Sequence, residues 1–126
     1  MDYPFTEVEE LPEFKRDFKK LKKKYRSLND DLNTFIKTQL HAYHNLDRDV
    51  SGIEEISGLG YKKIRIYKAT KFACKSLKGS GSRSGIRIIY CHTDENRIEL
   101  IEIYYKGDKE LEDRARIKHN YFEEPE

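Results

Sequence analysis

Ile86-Arg87-Ile88-Ile89-Tyr90-Cys91, the polar run Thr93-Asp94-Glu95-Asn96, and Arg97-Ile98-Glu99-Leu100-Ile101-Glu102-Ile103-Tyr104-Tyr105 decide the fold. Residues 86–91 are β-branched and apolar enough to form a strand, and 93–96 have turn chemistry. Residues 97–105 return as the longest strand, completing a hairpin. Upstream, Tyr61, Lys63, Arg65 and Tyr67 alternate with Ile64 and Ile66, which predicts a strand over 61–67. Residues 71–77 are a second possible strand, and Lys78 to Gly85 read as a flexible Gly/Ser segment.

The period changes on the N-terminal side. Phe14, Phe18, Leu21, Tyr25 and Leu28 recur at spacings of four and three, one apolar stripe on a helix that Pro12 can open. Ser27 or Asn29 could cap a second helix, with Asp30 and Asp31 in its first turn and Leu32, Phe35, Ile36, Leu40 and Tyr43 as its buried stripe. Residues 6–11 suit an edge strand, residues 45–60 a loop, and 108–121 a short helix. The expected class is therefore α+β. An N-terminal helical hairpin packs on one face of a mainly antiparallel, twisted sheet of three to four strands, and a short C-terminal helix follows. Residues 1–126 make one domain, with 1–5 and 122–126 as frayed ends.

Charged residues (38%) slightly outnumber hydrophobic ones (37%), so the core is modest and the surface heavily solvated. The net charge of +2 conceals a strong asymmetry. Residues 1–13 carry −5, 14–55 carry +3, 56–93 carry +9 and 94–126 carry −5, with no acid between Glu55 and Asp94. Ordinary surfaces mix signs, so a block of nine cations points to a polyanionic partner. If the helices cover the Ile64/Ile66 face, Tyr61, Lys63, Arg65 and Tyr67 lie on an open one. Cations there would attract phosphates and tyrosines could stack unpaired bases. The plainer reading is a solvated strand face.

Other chemistry is thin. Cys74 and Cys91 lack the close-set partners of a metal site, and His41 and His44 lack a third ligand, so no metal and no small-molecule cofactor is expected. Gly79-Ser80-Gly81 lacks the Gly-Lys-Ser/Thr ending of a nucleotide loop. Lys19 to Lys24 form a solvated helix face or an auxiliary RNA contact. His92, at a strand end, could act as a general base or simply occupy a turn. No apolar run suggests a membrane span and no secretory leader is apparent, so a cytoplasmic location is expected.

Ser84-Gly85-Ile86-Arg87-Ile88-Ile89-Tyr90 resembles the Gly-x-Arg-hydrophobic-hydrophobic-Tyr strand of the RelE/ParE superfamily of toxin–antitoxin modules. Glu99 to Lys109 is similar to that family's last strand and its exit. The resemblance spans residues 12–118 and implies an mRNA interferase acting on the ribosome, inhibiting translation and neutralised by a cognate antitoxin. It implies Arg87 at the scissile phosphate, with Lys63 and Arg65, or alternatively Lys68 and Lys71, as paired basic positions. Lys106 and Lys109 stand where the family commonly has Arg, and Tyr105 or His92 would assist proton transfer. Tyr67, Lys75 and Arg83 complete the expected RNA-binding set. A ParE-like or non-catalytic member that binds DNA gyrase, or an RNA-binding accessory domain, is the alternative. The antitoxin segment would be acidic or amphipathic.

Overall fold

A computed structural model describes residues 3–121. Its elements are β1 (Glu7–Glu10), α1 (Pro12–Lys24), α2 (Leu28–Phe35), a π-helical turn (Ile36–Leu40), α3 (His41–His44), β2 (Ile53–Glu55), β3 (Ile64–Ala69), β4 (Ile86–Thr93), β5 (Arg97–Tyr105) and α4 (Arg114–Asn120). The class is α+β, with the N-terminal helices packed on a mixed, mostly antiparallel sheet. Five strands, not three to four, run in the order β1-β5-β4-β3-β2, and only β1 and β5 are parallel. The extra strand is β2, inside the expected loop; residues 71–77 form no strand. β3 starts three residues later than expected because residues 56–61 fold back along the sheet, where Ile56 N donates to Ile66 O.

Each element follows from local chemistry. Pro12 opens α1, Glu13 sits in its first turn and Lys22, Lys23 and Lys24 in its last, matching the helix dipole. Ser27 does not cap α2. Its hydroxyl donates instead to Asp31 (2.6 Å), whose carboxylate also accepts from Lys75 N (3.1 Å), fastening the loop after β3 to the helix. The π turn adds one residue to the coil between buried Ile36 and Leu40. Arg97 reaches Glu7, Glu9 and Glu99 and so rivets the parallel β1–β5 pair.

The face assignment is the reverse of the expectation. Tyr67, Ala69, Ile86, Ile88, Tyr90, Ile98 and Leu100 pack with Phe14, Phe18, Leu28, Phe35 and Leu40 of the helices. Ile66, Ile89, Cys91, Ile101 and Tyr104 form a second core with Ile117 of α4 and Ile56. Tyr67 is therefore buried under the helices, and Ile64 and Ile66 point away from them. Nor is the second face open, since α4 and residues 56–61 cover part of it. A bulge opposite Ile89 and Tyr90 sends both Ile101 and Glu102 to that second face.

Of the expected frayed ends, residues 1–2 and 122–126 lie outside the described residues. Residues 3–5 pack: Phe5 is buried and Pro4 O accepts from Asn45. Among the described residues no helix is long and apolar enough to cross a membrane.

Candidate nucleic-acid interface

β3 ends, β4 begins and β5 ends at the same edge of the sheet, and most of the anticipated cations gather there. Arg87, the second residue of β4, is half-buried on the second face, and its guanidinium donates to Thr70 O at 2.6 Å. Tyr104 lies directly across from it on β5. One row further in, Lys68, Ile89 and Glu102 face one another across β3, β4 and β5.

The connection from β5 to α4 closes over this group. Lys109 pairs with buried Glu102 and lies 5.3 Å from the Tyr104 ring centroid, while Glu112 meets Lys68 at 3.0 Å. Burial alone would lower the Lys68 pKa, but Glu112 and the neighbouring Tyr104 hydroxyl raise it overall. Burial opposes ionisation of Glu112 too, yet its own backbone N–H and Lys68 hold it below the usual carboxylate range. The buried Tyr104 hydroxyl makes no hydrogen bond of normal geometry among the described residues. Part of the positive charge is thus neutralised from within.

More cations arrive at the same edge, around the exit of β5. Lys106 N donates to Gly85 O (2.8 Å), where Gly85 adopts φ +84°. A Cβ at Gly85 would lie 3.0 Å from the Tyr105 ring and 3.1 Å from the Lys106 side chain, so the glycine lets β5's exit close on β4's start. Tyr105 packs against Tyr25, and Lys24 hangs over both rings at 5.5 and 6.0 Å. Ser27 and Ser76 bond hydroxyl to hydroxyl at 2.8 Å. That contact docks the long loop, which carries exposed Lys75, Lys78 and Arg83, against the turn after α1, whose end carries exposed Lys22, Lys23 and Arg26. Lys71, also exposed, donates to Ser51 at 2.7 Å.

Arg87, Lys68, Lys71, Lys75, Arg83, Tyr105, Lys106 and Lys109 therefore share one end of the sheet. Lys63, Arg65 and His92 stand at the other. Arg65 is exposed on the helix side and faces Glu55 at 3.6 Å; Lys63 is exposed where its carbonyl accepts from Asp94 N. His92 is five strand residues from Arg87, about 16 Å, and on the opposite face, so it cannot serve a phosphate held by Arg87. Tyr67 is buried and stacked on Tyr90 at 5.4 Å, with its hydroxyl pushed up to about 12 by burial and then by Glu55. It is not an exposed stacking platform.

Sequence reasoning missed Glu102 and Glu112 as internal counter-ions, and it did not join the end of α1 to the long loop. Glu102 was hidden because the bulge opposite Ile89 and Tyr90 changes which face the residues after Leu100 take. Among the described residues, no three His, Cys, Asp or Glu side chains are placed to hold a metal ion. No family model matches the chain, and neither curated proteins nor solved structures yield a match.

Proposed function

We propose that the chain is a RelE-like toxin, an endoribonuclease that grips mRNA with the cationic end of its sheet. The observation that carries this reading is Arg87. It is a half-buried guanidinium on the central strand, anchored by one bond to Thr70 O and without an ion-pair partner among the described residues. A cation fixed this way requires little reorganisation when charge develops on a phosphorane. Lys106, Lys75, Lys78, Arg83 and the end of α1 supply the surrounding field. In the reaction, the 2′-oxygen loses its proton to water and bonds to phosphorus. The phosphorus–5′-oxygen bond breaks, and Lys106 protonates the departing oxygen. The products are a 2′,3′-cyclic phosphate and a 5′-hydroxyl end. An acidic or amphipathic antitoxin segment would neutralise the same surface.

The test is an in vitro translation extract charged with wild type or Arg87→Ala. Loss of one such donor lowers cleavage by about 100-fold or more; cleavage undiminished in the variant would remove Arg87 from the mechanism. A second reading, a binder without catalysis such as a ParE-like gyrase inhibitor, draws on the internal pairing of Lys68 and Lys109 and on the distance of His92. Inhibition of gyrase supercoiling without any mRNA cleavage would establish it instead. An RNA-binding accessory domain predicts salt-sensitive binding and neither effect.

A further inference from the structure

The opposite end of the sheet holds a cleft of about 530 Å³ between α3 and the start of β3, with Tyr43, His44, Arg65, Tyr67, His92 and Asp94 among its walls. That volume suits a small polar ligand. We propose that this cleft binds one unpaired purine base, guanine in preference to adenine, carried by a free nucleotide or by single-stranded RNA. The idea goes beyond the toxin reading and uses none of its residues at the Arg87 end.

The polar groups of the cleft are set in fixed roles. Asn45 Nδ2 donates to Pro4 O (2.7 Å) and to His41 Nδ1 (3.0 Å), which leaves Asn45 Oδ1 to accept from Asn96 Nδ2 at 2.9 Å. Asn96 Oδ1 must then accept, and its partner at 2.8 Å is His92 Nε2. His92 accordingly carries its proton on Nε2 and presents Nδ1 as an acceptor. Behind it, His44 stacks at 4.0 Å and is tied to Tyr90 by a 2.8 Å bond between Nε2 and the hydroxyl. Tyr43 and Tyr67 stand edge-on to His44, with centroids 4.9 Å from it in both cases. The result is a rigid aromatic cluster along one wall, with one oriented lone pair.

Charge then chooses the ligand. Asp47 and Asp94 line the cleft, and neither side chain has a hydrogen-bond or ion-pair partner among the described residues; among those residues, Arg65, loosely held by Glu55 at 3.6 Å, is the one Lys or Arg lining it. Two carboxylates against one guanidinium disfavour a bare phosphate. They favour a planar group that donates along one edge and accepts along another. Guanine does both: its N1–H and N2–H₂ donate to a carboxylate, while O6 and N7 accept from a guanidinium. Adenine reverses the first edge and uracil offers neither pair.

The experiment follows the ring protons of His92 by NMR while guanosine, GMP, AMP, UMP and inorganic phosphate are added to the full chain. Guanosine and GMP are expected to give saturable shifts with similar affinities, AMP to bind about tenfold more weakly, and phosphate to do nothing, a tenfold ratio being about 1.4 kcal/mol. Asp94→Asn, at an exposed turn position, should weaken guanosine about tenfold while leaving the His44 and Tyr90 signals in place. A single-stranded pentamer with one guanine that binds far tighter than GMP would mark RNA as the source of the base; equal affinity would mark the free nucleotide. Phosphate acting as strongly as GMP, UMP matching GMP, or no shift with any purine would each overturn the proposal. Purine binding in a protein that cuts no mRNA would uphold it while defeating the toxin reading.

Discussion

Replacing His44 by Gln should change the acid sensitivity of the fold in a calculable way. Burial, and secondly the charge of the adjoining His92, push the His44 imidazole down to about 3 from its ordinary 6.5. The folded protein therefore keeps this ring neutral while the unfolded chain protonates it below 6.5. The unfolded state binds more protons between those two values, so stability falls as pH falls through that window and is fully present above it. Each pH unit corresponds to about 1.4 kcal/mol, and the whole window to about 5 kcal/mol before screening. Because the ring is only half-buried, about half of this is expected. Between pH 6.5 and 5, where ordinary carboxylates stay ionised, that leaves about 1 kcal/mol. The Gln variant retains an acceptor for the Tyr90 hydroxyl but has nothing to titrate, and His92 is common to both proteins. Urea unfolding at pH 7.5, 6.5, 5.5 and 5 measures the difference. Parallel pH profiles for the two proteins would refute the assignment of a neutral, buried His44.

Three further outcomes follow from the same geometry. Arg116 joins α4 to α1 through Asp17 (2.6 Å) and Glu13 (3.3 Å) and donates to Ile101 O (3.0 Å), so Arg116→Ala should cost about 2–3 kcal/mol in urea unfolding. Gly85→Ala forces a side chain into left-handed backbone and against Tyr105 and Lys106, a loss of about 1–3 kcal/mol that a thermal melt would register. Glu112→Gln frees Lys68 from its counter-ion, and the logarithmic salt slope of single-stranded RNA binding should steepen by about 0.7, one additional phosphate contact.

The helices were legible because an apolar stripe at spacings of three and four has one interpretation; Phe14, Phe18, Leu28 and Phe35 are all buried. The hairpin was legible because turn residues separate two β-rich runs, and Asn96 takes the left-handed conformation (φ 61°) that asparagine tolerates. The face of β3 was not legible from β3 alone. Ile64, Ile66, Tyr67 and Ala69 give each side some apolar character, and strand period does not say which side the helices choose. A better signal lay in β4. Ile88, Ile89, Tyr90 and Cys91 form an unbroken apolar run, which in a strand means burial on both faces, and all four are buried. That run argued against any open face. β2 was hidden because three residues between glycine-rich turns carry almost no periodicity.

The charge map carries the same lesson further. Nine cations without an acid between Glu55 and Asp94 lie in one stretch of the chain, but successive strand residues face opposite ways, and a hairpin carries its two strand ends far apart. Arg65 and Arg87 consequently end on different faces and at different edges. The acids absent from that block return from elsewhere, Glu102 from β5 and Glu112 from the connection to α4, and they meet Lys109 and Lys68. What concentrates positive charge at the Arg87 edge is chain reversal. The β3–β4 loop, the exit of β5 and the last turn of α1 converge there, and Tyr105 and Ser76 dock against Tyr25 and Ser27. A polyanion would find its densest cations at that junction of three segments, and the central sheet face, crossed by Glu102 and Glu112, would be a poorer track for it.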